Sequence, residues 1–141
     1  MKTSLLISAA FVAANTLGAQ GNTPACLQYE PDTVQLSGTL ARHMYYGAPG
    51  FGEDPAHDQK EVGFYLDLPR PVCMVAGAND VDVPKSGIRR VQLILDEQGY
   101  ARLRPFVGKR VALRGTLLGA FTGHHHTPVL LRVLTPAHVE Q

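Results

Sequence analysis

Apolar and polar positions alternate along several stretches of the chain, and each such stretch predicts a half-buried strand. Val34, Leu36 and Leu40 mark the first, and Val62, Phe64, Leu66 and Leu68 the second. Val91, Leu93 and Leu95 lie within the third, Ile88–Leu95, and Val111, Leu113 and Leu117 form the fourth. Val129–Leu134 is apolar on both faces apart from Arg132, as expected of a fifth strand covered on both sides. Pro69 and Pro71 are expected to end or edge the second strand, and Pro128 and Pro136 to bound the fifth. The period changes once, over Asp96–Arg104, where Tyr100 and Leu103 have helical spacing behind an Asp that can cap the first turn. Pro105 closes that segment. The expected order is β-β-β-α-β-β.

Two of the strands echo each other. Val34–Leu40 and Val111–Leu117 share the pattern V-x-L-x-G-T-L, with a glycine where the next inward side chain should stand. A glycine inside a strand marks a bulge or a close backbone approach. Two strands bent at matching points suggest a small, strongly curled barrel. With the element order, this predicts a mainly β fold, a five-stranded OB-like Greek-key barrel with one short helix between strands three and four.

The N-terminus is expected to be an address rather than part of the fold. Lys2 precedes an uncharged apolar run, Leu5–Ala14, and Thr16-Leu17-Gly18-Ala19 ends on small residues before polar Gln20. This is the layout of a secretory signal peptide, cleaved after Ala19, and the run is too short to span a bilayer. Residues 20–141 are then expected to form one secreted domain, with no membrane span in the mature chain. In an oxidising compartment the two cysteines, Cys26 and Cys73, read as one disulfide; no C-x-x-C redox or zinc motif occurs. A loop of that length gives about 4 kcal/mol of stabilisation in the chain-entropy model.

Charge narrows the function classes. The chain has 13 Lys+Arg against 12 Asp+Glu, 7% aromatics and no Trp, which argues against a nucleic-acid partner, as does the secretory address. Acid gathers in the first long loop, about Met44–Glu61, at Glu53, Asp54, Asp58 and Glu61, and reads as a solvated acidic loop. Base gathers in the second half, at Arg89, Arg90, Arg102, Arg104, Lys109, Arg110 and Arg114, a patch that suits anionic glycans, lipids or a protein. Ala76–Gly87 reads as a plain surface loop.

The most unusual stretch is Phe121-Thr122-Gly123-His124-His125-His126-Thr127-Pro128. In extended backbone His124 and His126 project to one side and His125 to the other. His43, at the end of the first strand, and His57, in the first loop, are expected at the same end of the barrel. Three or four converging imidazole or carboxylate donors suit zinc, copper or nickel. The alternative is that the histidines only order their loop. Tyr45, Tyr46, Phe51 and Phe121 are the candidates for stacking on a ligand, with packing of the loop against the barrel as the alternative.

In these residues the chain resembles small secreted bacterial proteins carrying a domain of unknown function with a Gly-His-His-His-Thr-Pro-Val signature. The matching pieces are 26–31, 36–40, 105–111, 115–117 and Gly123–Val129. The resemblance implies an exported, periplasmic protein and carries over no activity. No G-x-S-x-G elbow and no phosphate-binding glycine loop occurs. A binding domain is therefore favoured over an enzyme. Its ligand is either a transition metal held by the His tract or, without metal, a cell-envelope protein or glycan. A metal-dependent hydrolase is a third reading.

Overall fold

The computed structural model describes residues 25–139, so the expected signal peptide lies outside the described residues. The elements are β1 (Thr33–Tyr46), β2 (Lys60–Met74), β3 (Lys85–Ile94), α1 (Glu97–Leu103) with a 3-10 turn (Arg104–Phe106), β4 (Arg110–Gly119) and β5 (Val129–Val139). The strands close a barrel in the order β1-β2-β3-β5-β4, antiparallel throughout except for the parallel pair β3 and β5. This is the expected OB-like barrel.

The alternation seen in the sequence decides what fills it. Leu36, Leu40, Phe64, Leu66, Val91, Leu93, Val111, Leu113, Leu117, Val129 and Leu131 are buried in one core. α1 plugs one end with Leu103, and Tyr100 packs on Phe64 with ring centroids 5.0 Å apart. Asp96 caps the helix by accepting from the Gly99 N–H at 2.6 Å.

Both echoed glycines stand at close backbone approaches. A Cβ at Gly38 would strike the Asp67 carbonyl, and one at Gly115 the Arg132 carbonyl. Gly38 lies where β1 changes partner: Thr33–Thr39 pairs with β4, and Thr39–Tyr46 with β2. One strand can serve both neighbours only by bending sharply, and the missing side chain permits that bend.

Three boundaries differ from expectation. β1 runs to Tyr46, so the first loop is shorter than Met44–Glu61. β2 continues through Pro69 and Pro71, because they fall in an irregular stretch of its pairing with β3, between Asp67 and Val72, where no regular ladder bond is lost. β5 likewise continues past Pro136, beside a register shift against β4.

The disulfide forms between Cys26 and Cys73, with Cα atoms 4.6 Å apart. It ties the N-terminal arm to the end of β2, where Leu27 donates to the Cys73 carbonyl at 2.7 Å. No helix among the described residues is long and apolar enough to cross a membrane.

The Ala76–Gly87 segment is not a plain surface loop. Tyr29 donates its hydroxyl to the Val83 carbonyl at 2.8 Å, and Asp82, only 2% exposed, accepts from the Gly119 N–H at 2.8 Å and from Asn79 at 3.0 Å. A buried carboxylate is tolerable because its lone pairs meet donors. It fastens the loop to the end of β4.

Candidate functional site

Strand periodicity puts Leu40, Phe64 and Leu66 inside the barrel and therefore His43, Tyr45, Glu61, Tyr65, Arg90 and Gln92 on its outer face. The β4–β5 loop folds over this face. As a result Tyr65, an outward residue, is only 1% exposed. Its ring meets His43 edge-on at 5.4 Å and Tyr45 at 5.5 Å. Tyr45 in turn stacks flat on His126, centroids 4.4 Å apart and planes 4° from parallel.

Gln92 aligns the loop. Its side-chain N–H donates to the His124 carbonyl at 3.1 Å, and its side-chain oxygen accepts from the His126 N–H at 2.7 Å. One amide side chain thus pairs with the tract's backbone as a neighbouring strand would. The Gln92 backbone N–H continues the pairing to the Thr127 hydroxyl at 2.9 Å, and that hydroxyl donates to the Val129 carbonyl at 2.7 Å.

Glu61 then clamps the tract. Its Oε1 lies 2.5 Å from His124 Nδ1 and its Oε2 2.9 Å from His126 Nε2. An ionised carboxylate only accepts, so each of these ring nitrogens carries a hydrogen, which neutral imidazole supplies in the appropriate tautomer. Burial pushes the Glu61 pKa up, but the hydrogen bonds from His126 and His124 outweigh it, and the net direction is down from 4.5. The next polar pair on the face is Arg90 with Asp67, Nε to Oδ1 at 2.5 Å.

His125 points the other way, as the alternation predicts. Its Nδ1 accepts the Phe121 N–H at 3.1 Å, and the Phe121 ring meets it edge-on at 4.6 Å. Burial first, and then the neighbouring His124 and His126, lower its pKa below 6.5, which keeps Nδ1 free to accept.

The two long loops meet at this end, as the sequence suggested. Phe51 lies edge-on to His124 at 6.2 Å, and its ring rests on Gly123, where a Cβ would come within 2.7 Å of it. Phe51 has φ of 51°, in the left-handed region that a bulky side chain rarely enters. Asp58 holds this turn by accepting from the Gly50 N–H at 2.6 Å and the Gly52 N–H at 2.7 Å. Phe51 remains 48% exposed and Phe121 61% exposed.

The candidate residues divide accordingly. His124, His126, Tyr45 and Phe51 come together, with His125 and Phe121 on the loop's other side. His43 sits under Tyr45, and its Nε2 is buried without a hydrogen-bond partner among the described residues. His57 pairs with Asp54 at 2.7 Å on an exposed turn and is not brought to the tract by any contact among the described residues. Tyr46 ends β1 on the opposite side of the strand, half-buried. Among the described residues, no group of three or more His, Cys, Asp or Glu side chains is arranged to hold a metal ion.

Two carboxylates read as solvated are not. Asp58 is 8% exposed and the Glu61 side chain 22%. Glu61, Gln92 and Tyr65 were missed as parts of the site. The available signal was their strand phase: Glu61 pairs opposite Tyr45, and Gln92 opposite Tyr65.

Residues 90–136 match the family model described as a domain of unknown function (DUF4431), a stretch from β3 to β5 that contains Gln92 and the whole His tract but not Glu61, Tyr45 or Phe51. No curated protein and no solved structure matches the chain.

Proposed function

We propose that the chain is an exported binding domain of the bacterial cell envelope that takes a glycan where the 47–59 loop and the 120–128 loop meet. The observation that carries this reading is Phe51. Its ring is half exposed although its backbone sits in a disfavoured region, held there by Asp58. Strain kept at an exposed aromatic points to use of the ring rather than to packing. Phe121 offers a second exposed ring on the other side of the same loop, and Glu61 and His124 supply polar groups beside Phe51. Aromatic faces beside a few polar groups suit sugar rings, which present apolar C–H faces and hydroxyls. The disulfide and the signal-peptide layout support an oxidising compartment outside the cytoplasm.

Co-sedimentation of the purified protein with peptidoglycan sacculi tests this. The wild type is expected to pellet with the sacculi and a Phe51→Ser/Phe121→Ser variant to stay in solution. Failure of the wild type to pellet, or equal pelleting of both, overturns the reading.

A second reading rests on the convergence of two imidazoles on one carboxylate. His124, His126 and Glu61 are donor types that suit zinc, copper or nickel, but they stand hydrogen-bonded to one another and not round a common point, so binding an ion requires the clamp to open. Calorimetric titration with zinc and copper is then expected to give heat that a His124→Ala/His126→Ala variant lacks. Equal heats for the two proteins would sink it.

A further inference from the structure

The opposite side of the β1–β2 ribbon carries a second concavity, unrelated to the loops. Beyond Leu40 the two strands overhang the closed barrel, and their even-numbered residues face away from the Glu61 clamp. Val62 on that side is 43% exposed and Met44 45% exposed. The helix end and the turn after it form the other wall. The Gly108 N–H donates to the Leu40 carbonyl at 2.7 Å, and the Leu40 N–H to the Lys109 carbonyl at 3.0 Å, so this wall is fixed against β1. Between the walls lies a pocket of about 570 Å³ lined by Arg42, Val62, Phe64, Tyr100, Arg104 and Val107. That is within the roughly 300–1,000 Å³ range of small-molecule sites.

The lining divides into a floor and a rim. Val62, Phe64, Val107 and the Tyr100 ring are apolar. Arg42 and Arg104 are both exposed, no carboxylate lines the pocket, and neither guanidinium has an ion pair or side-chain hydrogen bond among the described residues. The ion pairs of Arg90 with Asp67 and of Arg132 with Glu30 lie elsewhere on the barrel.

We propose that this pocket binds a carboxylate-bearing amphiphile, with its acyl chain on the apolar floor and its carboxylate between Arg42 and Arg104. A guanidinium presents a planar fork that matches a carboxylate. A bare anion leaves the floor uncovered, and an uncharged chain leaves both cations without a counter-charge.

Octanoate below its micelle concentration, octanol and acetate are the probes, each titrated into the disulfide-intact protein and followed by calorimetry and amide NMR shifts. Octanoate is expected to bind and to shift the amides of Val62, Phe64 and Val107, octanol to bind more weakly and acetate not to bind. An Arg42→Gln/Arg104→Gln variant should lose roughly tenfold or more in octanoate affinity and keep its octanol affinity. With the wild type alone, octanoate affinity should fall from low to physiological ionic strength while octanol affinity does not. Equal affinity for octanoate and octanol, an unchanged affinity in the double variant, or shifts confined to the Phe51 and Phe121 loops would each overturn the proposal.

Discussion

Asp58 and Asp82 are both buried loop carboxylates that accept hydrogen bonds from glycine amides, yet they hold different things. Asp82 reaches out of its loop to the Gly119 N–H at the end of β4, thirty-seven residues away, and so joins the loop to the barrel. Asp58 accepts from Gly50 and Gly52 in its own loop and joins the loop to itself. The first arrangement adds to the fold. The second fixes the shape of a turn whose tip is an exposed, left-handed Phe51. The same chemistry therefore separates a loop that is structure from a loop that displays a side chain.

The largest effect expected from breaking this comparison comes from Asp82→Ala. The change leaves the buried Gly119 N–H and the Asn79 amide without their acceptor, and charged hydrogen bonds and orphaned buried donors each count for about 1–3 kcal/mol. A loss of about 3 kcal/mol is expected, or roughly 10 °C in the melting temperature. Asp58→Ala should cost only about 1 kcal/mol, because its donors can turn to water once the loop relaxes. Thermal melts of the two variants side by side decide the matter. Equal losses would mean that the display loop is as much part of the fold as the anchored one.

Glu61 stands between these cases, since it ties the second loop to the barrel from a partly exposed position. Glu61→Gln is expected to cost about 1–2 kcal/mol at neutral pH, less than a fully buried pair because solvent screens it. The pH dependence has a definite sign. The folded-state pKa is lowered, since the hydrogen bonds from His126 and His124 outweigh burial. Stability from this group is therefore fully present above about 4.5 and drains away as pH falls through the lower folded value. Urea unfolding of wild type and variant should show a gap at pH 7 that narrows below 4.5. A gap that stays constant with pH would mean that the carboxylate charge plays no part in the clamp.

The barrel was legible because its signals are local and repeated. Alternation marked the first four strands and a run apolar on both faces the fifth, Asp96 marked the helix start, and the glycines of the echoed V-x-L-x-G-T-L pieces marked the bends. The site was legible by half. The His tract stood out as a run, and His124 and His126 meet Glu61 while His125 meets Phe121, although the backbone turns at Gly123–His124 and does not run extended. What holds the tract did not stand out, because Glu61 and Gln92 are ordinary residues made special by register: Tyr45 faces Glu61 and Tyr65 faces Gln92 only once three strands are aligned. Asp82 was hidden for the same reason, since its partner amide belongs to a strand end far along the chain. His57 misled because membership of a loop does not fix direction, and Asp54, three residues before it, captures its ring.

The smallest effect on stability, and the sharpest on the comparison, is expected from Phe51→Gly. At φ of 51° a side chain carries a penalty of about 1–2 kcal/mol that glycine does not. Against that, the ring gives up its contact with Gly123 and its edge contact with His124, both at a half-exposed position. The two nearly cancel, so the melt should stay within about 1 kcal/mol of wild type, whereas truncating a packed core Phe costs about 3–5 kcal/mol. The same variant should lose retention on sacculi. A loss beyond about 2 kcal/mol would make Phe51 a packing residue, and the distinction between a displayed loop and an anchored one would fall with it.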